Sequence, residues 1–370
     1  MRIAFAADLH LHPHAWASMP EVHGDAYRAF DQIVDFCVQT SDVHALILGG
    51  DVFDTSPPAD AVQHFLAGLE RLKRGRVLVY AVQGQHGRSN PPWTAIDPYI
   101  VHLQGQPITT LEGVCFTGFD QDTPVEIKRK LEELDPGVNM LILHQLCRGT
   151  VPDISDQQTW DLDPEWVPEH VKLVLLGDYH MLWEQRNSKG TQFCYPGSTA
   201  VQAIDEPDQK HFFSILVDGP GQFQVERVDI RGRVYTRMVI QVSEALESAL
   251  TYIQQRSPDE VVHIKYNTDL PDVEKRFREI NDGVHFMFRP LPKQLVSDQA
   301  SIDVSKLKKI SLEGCLGMAI DREKEPEAHA LTLRLLKAED PRVALAEARE
   351  HFLNPEPVAQ PAIPDDEVPF

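Results

Sequence analysis

The sequence opens with Met1-Arg-Ile-Ala-Phe-Ala-Ala-Asp8-Leu-His10, a short apolar run that ends in an acid and an imidazole two positions apart. The run from Ile3 to Ala6 predicts a buried β-strand. Because side chains alternate between the two faces of a strand, we expect Asp8 and His10 to leave its carboxyl end on the same side. Such pairs also occur by chance, so this one indicates a metal site only if later residues support it.

The length and composition are typical of a soluble globular protein. The 370 residues suffice for two or three domains of about 100 to 200 residues each. Neither a membrane-spanning run nor a signal peptide is evident, so we expect a cytoplasmic protein. The five cysteines are odd in number and widely spaced, which favours reduced thiols over disulfides or a zinc knuckle.

The formal net charge of -21 argues against a large DNA-binding face made by the protein alone. It does not exclude a phosphodiester substrate, because bound divalent cations would supply local positive charge. Small basic groups occur at residues 71–76 and 128–130. These groups are more typical of solvated helix faces than of binding patches.

Strand-like and helix-like patterns alternate along the first half of the chain. Apolar runs typical of strands occupy residues 45–48, 77–82, 140–144 and 173–177, and residues 26–37 and 62–72 carry apolar side chains at helical spacing. This alternation predicts an α/β layered fold.

Polar side chains follow five of these strands. They are Asp8 and His10, Asp51, Gln85 and His86, His144, and Asp178 and His180. Ligands of α/β proteins gather at the carboxyl ends of strands. Each residue alone has a simpler explanation: His144 could be a hydrogen-bonded core histidine, and Asp51 could cap a turn. Five such coincidences are improbable together, so the pattern predicts a metal site.

The order of these motifs carries a family resemblance. The motifs are Asp8-x-His10, Gly50-Asp51-x-x-Asp54, Gly84-Gln85-His86, a lone His144 after a strand, and Gly177-Asp178-x-His180. They resemble those of the calcineurin-like metallophosphoesterases. The resemblance implies a four-layer α/β/β/α sandwich with a small α+β capping domain and a C-terminal helical segment.

A narrower resemblance concerns two stretches. Gly50-Asp51-Val-Phe-Asp54-Thr-Ser-Pro-Pro58 and Tyr195-Pro-Gly-Ser198, the latter followed by Glu206 and Lys210, are similar to the SbcD family of DNA repair nucleases. That family includes phage recombination endonuclease subunits.

The resemblance implies two divalent cations. One would be held by Asp8, His10, Asp51 and His180, and the other by Asp51, Gln85, His144 and Asp178, with Asp51 bridging. Two cations about 3.5 to 4 Å apart lower the pKa of a bridging water and stabilise phosphoryl oxygens.

Two further residues have implied roles beside the cations. His86 resembles the family histidine that lies beside the scissile phosphate and stabilises the transition state or protonates the leaving oxygen. Asp54 stands where some relatives place a second catalytic histidine. We expect a carboxylate there to be structural or to support a metal ligand.

Two positions depart from the family pattern. Gln85 stands where the family has Asn, and Asp178 stands where it has His. Both keep an oxygen ligand, so the second site should favour Mn or Mg over Zn. A degenerate, inactive site is the alternative.

The chain divides into four predicted parts. Residues 1–240 are expected to form the nuclease domain, 241–300 a capping domain, 301–353 a helical ATPase-docking segment, and 354–370 a disordered acidic, proline-rich tail. The resemblance implies that the capping domain helps orient DNA over the metals, although it could be only a packing extension. It also implies an SbcC-like SMC-type ATPase as partner, and it leaves a homodimer open.

The sequence therefore predicts a two-metal DNA phosphodiesterase, the nuclease subunit of an SbcCD-like complex. One alternative is a phosphatase or cyclic-nucleotide phosphodiesterase with the same core. The other is a non-catalytic scaffold for the ATPase.

Overall fold

The computed structural model describes residues 1–11, 19, 22, 24–54, 57–86, 92–110, 113–150, 160–204 and 206–291. The predicted docking segment, the predicted acidic tail and residues 292–300 of the predicted capping domain lie outside these residues. Among the described residues, no helix is long and apolar enough to cross a membrane.

The strands are β1 (Arg2–Ala6), β2 (Val43–Gly49), β3 (Leu78–Val82), β4 (Ile100–His102), β5 (Ile108–Thr109), β6 (Cys115–Phe119), β7 (Met140–His144), β8 (Leu173–Gly177), β9 (Trp183–Arg186), β10 (Gln192–Tyr195), β11 (Lys210–Gly219), β12 (Gln222–Ile230), β13 (Tyr235–Ile240), β14 (Val261–Tyr266) and β15 (His285–Pro290). The helices are α1 (Gly24–Gln39), α2 (Ala59–Arg74), α3 (Pro124–Glu132), α4 (Ser243–Gln254) and α5 (Val273–Ile280).

Two six-stranded sheets form the main body. The first has the order β12-β11-β1-β2-β3-β4, and the second has the order β5-β6-β7-β8-β10-β9. Strands β1 to β4 run parallel to one another, and so do β6, β7, β8 and β10. The edge pairings are antiparallel: β11 with β1 and β12, β5 with β6, and β9 with β10. The parallel strands therefore carry their carboxyl ends to one edge of each sheet.

The inner faces of the two sheets bury a shared hydrophobic core. Phe5 and Ile47 of the first sheet belong to the same buried cluster as Phe116, Ile142 and Leu175 of the second. Burying one side chain of this size contributes about 1.5 to 3 kcal/mol to the free energy of unfolding. The core holds the two sheets face to face.

Helices cover the outer faces of both sheets. Phe30 of α1 and Phe65 of α2 pack in one cluster with residues of the first sheet, and Ile127 and Leu131 of α3 pack with residues of the second. The layers are therefore α, β, β and α, which confirms the predicted sandwich. The second helix, predicted from the apolar spacing of residues 62–72, begins at Ala59.

A smaller parallel sheet follows the sandwich, in the order β13-β14-β15. Helices α4 and α5 contribute Leu250 and Phe277 to its buried cluster, together with Ile264 of β14. Because β13 pairs with β14, this sheet begins at Tyr235, a few residues before the predicted boundary at 241.

Candidate metal centre

The loops after β1, β2 and β8 are tied together by backbone hydrogen bonds. The Asp8 amide donates to the carbonyl of Gly50 at 3.2 Å, and the His10 amide donates to the carbonyl of Asp51 at 3.0 Å. The Asp178 amide donates to both carboxylate oxygens of Asp8 at 3.1 Å. These bonds place the acids and imidazoles of three strand ends at one location.

The backbone of this location is strained. Asp8, His10, Asp51 and Asp178 have φ values of 53°, 41°, 44° and 97°, in a region that side-chain-bearing residues rarely adopt. Each such residue costs on the order of 1 to 3 kcal/mol, and surrounding contacts have to offset that cost. Strain of this kind concentrates at functional sites.

Two glycines permit the close approach of the loops. A Cβ atom on Gly50, whose φ is +100°, would meet His144 Nδ1 at 2.1 Å. A Cβ atom on Gly84 would meet Asp51 Oδ1 at 2.1 Å. A side chain at either position would displace His144 or Asp51.

Asp8, His10 and His180 form the first ligand group. One potential ligand atom from each lies within 4.8 Å of the others. The Nε2 atoms of His10 and His180 are 3.2 Å apart. With metal–nitrogen bonds of about 2.1 Å, two ligands of one ion stand roughly 3 to 3.4 Å apart, so this spacing fits a shared cation.

Carboxylates orient both histidines of the first ligand group. Asp54 Oδ1 lies 2.6 Å from His10 Nδ1, and Glu206 Oε1 lies 2.9 Å from His180 Nδ1. Because each Nδ1 is engaged by a carboxylate, each Nε2 is left to face a cation.

Several hydrogen-bond donors fix the position of the Glu206 carboxylate. Its Oε2 accepts hydrogen bonds from Lys210 Nζ at 2.6 Å, from Ser198 Oγ at 3.0 Å and from the Gln202 amide at 2.9 Å. Burial raises the pKa of Glu206, but these donors and His180 outweigh burial and lower it to about 2. The carboxylate is therefore ionised when it contacts His180.

Asp8, Asp51 and His144 form the second ligand group, again with ligand atoms within 4.8 Å of one another. His144 is fully buried, and its Nδ1 lies 2.7 Å from the carbonyl oxygen of Gly49. Its Nε2 has no hydrogen-bond partner among the described residues. This nitrogen lies 3.3 Å from Asp51 Oδ2 and 3.9 Å from Asp8 Oδ1.

The electrostatics of the second ligand group favour a cation. Burial lowers the pKa of His144, but Asp51, Asp8 and Asp178 outweigh burial and raise it to about 10. The pKa of Asp51 is lowered, because its histidine neighbours outweigh the effect of burial, whereas burial raises the pKa of Asp8. A buried imidazole nitrogen facing carboxylates fits a divalent cation that takes the place of the proton.

The two departures from the family pattern contact each other. Gln85 Nε2 donates a hydrogen bond to Asp178 Oδ1 at 2.6 Å. Asp178 Oδ1 is 3.9 Å from His144 Nε2, and its side chain is 17% exposed. The structure thus places both residues at the open rim of the second ligand group.

His86 lies beside both groups. Its side chain is 42% exposed, and its Nε2 and Nδ1 are each 3.9 Å from a carboxylate oxygen, of Asp51 and Asp54 respectively. Its backbone amide donates to Asp51 Oδ1 at 3.1 Å. The imidazole is therefore accessible to a molecule that approaches the two ligand groups.

All of the predicted site residues lie at this location. Asp8 belongs to both groups of ligand atoms that lie within 4.8 Å of one another, and Asp51 belongs to the second. The assignment of Asp51, Gln85 and Asp178 to individual cations stays a prediction. The sequence reasoning missed the contacts of Glu206 and Lys210 with the His180 ligand position. Their place after the Tyr195-Pro-Gly-Ser198 stretch was the available signal.

The comparisons with known proteins agree with this geometry. Residues 1–182 match the family model of the calcineurin-like phosphoesterases, and this segment contains both ligand groups and His86. This segment belongs to the calcineurin-like phosphoesterase family. The protein is therefore a metal-dependent phosphoesterase, and its oxygen and imidazole donors suit two divalent cations.

Two relatives of this phosphoesterase are DNA double-strand break repair proteins named Mre11. The one from Methanopyrus kandleri is 24% identical, over 76% of this chain and 72% of that protein. The one from Sulfolobus acidocaldarius is 22% identical, over 73% of this chain and 76% of that protein. A dimetal phosphatase structure from Danio rerio covers 59% of this chain and 92% of its own, with 12% identity and a TM-score of 0.41.

Proposed function

We propose that this protein is a two-metal DNA phosphodiesterase. The observation that carries the proposal is the pair of ligand groups that share Asp8 and stand beside the exposed imidazole of His86. Similarity to proteins named for double-strand break repair supports DNA as the substrate.

Each site residue has a role in this proposal. One cation is assigned to Asp8, His10, Asp51 and His180, and the other to Asp51, Gln85, His144 and Asp178. When bound, the cations lower the pKa of a water nucleophile and stabilise charge on the phosphoryl oxygens.

His86 is the residue that we assign to the substrate itself. Because its imidazole is exposed and borders the acids of both groups, it can donate to a phosphate oxygen or to the leaving oxygen. Asp54 orients His10 through their 2.6 Å contact. We therefore assign Asp54 a supporting role.

The proposed metal is Mn, with Mg as the next choice. Gln85 and Asp178 contribute oxygen atoms at the rim of the second ligand group, where the family has an amide and an imidazole. Hard oxygen ligands favour Mn and Mg, whereas Zn prefers nitrogen and sulfur.

We further propose that an SMC-type ATPase is the partner and that residues 301–353 dock it. In this proposal the unit that contains β13 to β15 caps the nuclease domain. Co-purification with an SbcC-like ATPase checks the docking: a chain ending at residue 300 is expected to lose the ATPase. Equal retention by both forms would place the docking surface elsewhere.

Cleavage assays separate the proposed function from its alternatives. End-labelled single-stranded and duplex DNA, 4-nitrophenyl phosphate, bis(4-nitrophenyl) phosphate and a cyclic nucleotide are incubated with the protein in Mn. We expect cleavage of DNA and of the diester, and little release from the monoester. Hydrolysis of the monoester or cyclic nucleotide alone would favour the small-molecule enzyme. Absence of any hydrolysis, together with ATPase binding, would favour the scaffold.

A further inference from the structure

A cleft lies where the sandwich joins the smaller sheet. Its volume is about 480 Å³, and it is lined by residues 231–234 between β12 and β13, by Arg28 of α1, and by residues 256–260 between α4 and β14. We call it the hinge cleft. A smaller cavity shares its residues Arg28 and 231–233 and extends to Lys210.

The hinge cleft is basic in an acidic chain. Four of its lining residues are arginines (Arg28, Arg231, Arg233 and Arg256), whereas two are acidic (Asp259 and Glu260). The net charge of the whole chain is -21. Positive charge gathered in one concave site of such a chain attracts anions.

The acids near the cleft already have partners. Asp25 pairs with Arg233 at 3.0 Å, and Asp259 lies 3.4 Å from both Arg233 and His285. The buried Glu260 accepts a hydrogen bond from the Thr236 hydroxyl. Asp25 also forms an ion pair with Arg28. Arg231 and Arg256 are the two cleft arginines that make no ion pair with a carboxylate among the described residues.

Two of the arginines have donors to spare. The guanidinium of Arg231 makes no hydrogen bond or ion pair with the part of the chain that the structure describes, and the residue is exposed. Arg256 Nε is buried without a hydrogen-bond partner among the described residues. The Arg256 guanidinium lies 4.0 Å from the centre of the Tyr252 ring, which restrains its orientation.

We propose that the hinge cleft binds a phosphate group. Guanidinium groups match phosphate oxygens in geometry, and charge-assisted hydrogen bonds of this kind are roughly twice as strong as neutral ones. The volume suits a small anion or one nucleotide unit of a polymer. The phosphate is either a free anion or part of a nucleic-acid backbone.

The position of the cleft predicts that bound phosphate stabilises the fold. Arg28 belongs to the sandwich, and Arg256 follows α4 of the smaller-sheet unit, so a phosphate held in the cleft would lie between the two units. A ligand that binds the folded arrangement stabilises it by mass action. Phosphate is therefore expected to raise the melting temperature of the protein.

Calorimetry with metal-free protein isolates the hinge cleft from the metal centre. Without cations the metal centre cannot bind phosphate through a metal ion, and phosphate binding that depends on Arg231 and Arg256 reports the hinge cleft. We expect wild type and the control Arg74→Gln, an exposed arginine on α2, to bind phosphate equally. We expect Arg231→Gln and Arg256→Gln to weaken binding about tenfold or more, the loss of one hydrogen bond to a charged group.

A second titration distinguishes the two sources of phosphate. The same four proteins are titrated with a short DNA duplex at low salt. Weaker duplex binding by both cleft variants supports a backbone phosphate, and phosphate binding without a change in duplex binding supports a free anion. Because Arg231 is exposed, the Arg231→Gln variant is expected to fold. Circular dichroism checks the folding of both cleft variants.

One outcome overturns the proposal: no saturable phosphate binding by wild type, together with unchanged duplex binding by folded Arg231→Gln. The duplex titration alone rests on the proposed nuclease function, whereas the phosphate titration does not. Phosphate binding in the cleft of a protein that cleaves no DNA would therefore contradict the proposed function and leave the cleft assignment standing.

Discussion

The two ligand groups of the metal centre share Asp8 but are supported differently. In the first, Asp54 and Glu206 contact the Nδ1 atoms of both histidines, and Glu206 is fixed by Lys210. In the second, the Nδ1 atom of His144 lies against a backbone carbonyl, and the rim consists of Gln85 and Asp178, which contact each other. The first group is preorganised by charge, whereas the rim of the second is open to substitution.

Electrostatics explain why such a rim can change. Glu206 and Lys210 are buried as a pair, and removing one partner of a buried pair leaves the other charge uncompensated. Gln85 is exposed and Asp178 partly so, and exchanges there cost less. Departures from a family pattern are therefore tolerated more readily in the second group.

The largest effect is expected from Asp51→Asn, because Asp51 is proposed to contact both cations. We expect a loss of activity on the order of 10⁴-fold or more, equivalent to roughly 5 kcal/mol of transition-state stabilisation. Cleavage assays in Mn, with circular dichroism to confirm folding, measure it. Asp31→Asn on the surface of α1 is the control, and cleavage by Asp51→Asn at the wild-type rate would remove the basis for two metals.

The next effect distinguishes catalysis from metal binding. His86→Ala is expected to slow turnover by a factor on the order of 10² to 10⁴, the usual contribution of a general acid. Metal content should stay the same, because His86 belongs to neither ligand group. Turnover and metal analysis are compared with those of His44→Ala, an exposed histidine. A parallel fall of metal content and rate would make His86 a ligand.

A smaller effect tests the support of the first group. Glu206→Gln removes the charge that orients His180, and we expect Mn affinity to fall by about 10- to 100-fold. Calorimetric titration with Mn measures this, and thermal melts monitor folding. The control is Glu184→Gln, which removes a surface ion pair with Arg227. Unchanged Mn affinity in folded Glu206→Gln would show that the support is not needed.

The smallest effect is expected at the rim of the second group. Because Gln85 and Asp178 are hydrogen-bonded, the changes Gln85→Asn and Asp178→His should not be additive, with a coupling of about 0.5 to 3 kcal/mol. The double variant should recover more activity than either single variant and should accept Zn better than wild type. Titration of Mn, Mg and Zn against the four proteins tests this. Robust Zn-supported turnover by wild type would contradict a site re-tuned toward Mn and Mg.

Much of the sandwich could be predicted from local sequence. Apolar runs followed by acids or imidazoles predicted the five strands that carry the metal centre, β1, β2, β3, β7 and β8. Helical spacing of apolar residues predicted the buried face of α1. These signals are local, because burial imposes the period of each element on its own residues. The Asp8-Leu-His10 stretch was informative for the same reason.

Contacts between distant segments could not be predicted in this way. Gln85 and Asp178 are 93 residues apart, and His180 and Glu206 are 26 residues apart. The hinge cleft combines Arg28 with Arg256. No periodicity relates such positions, since their proximity follows from the packing of whole sheets and helices.

Anomalous diffraction from crystals of the full chain soaked with Mn tests the two-metal centre most directly. We expect two peaks, one in contact with the Nε2 atoms of His10 and His180, and the other in contact with Nε2 of His144. The expected density is continuous with Asp8 and Asp51. A single peak at the first group, or no peak at either group, would contradict a two-metal phosphodiesterase.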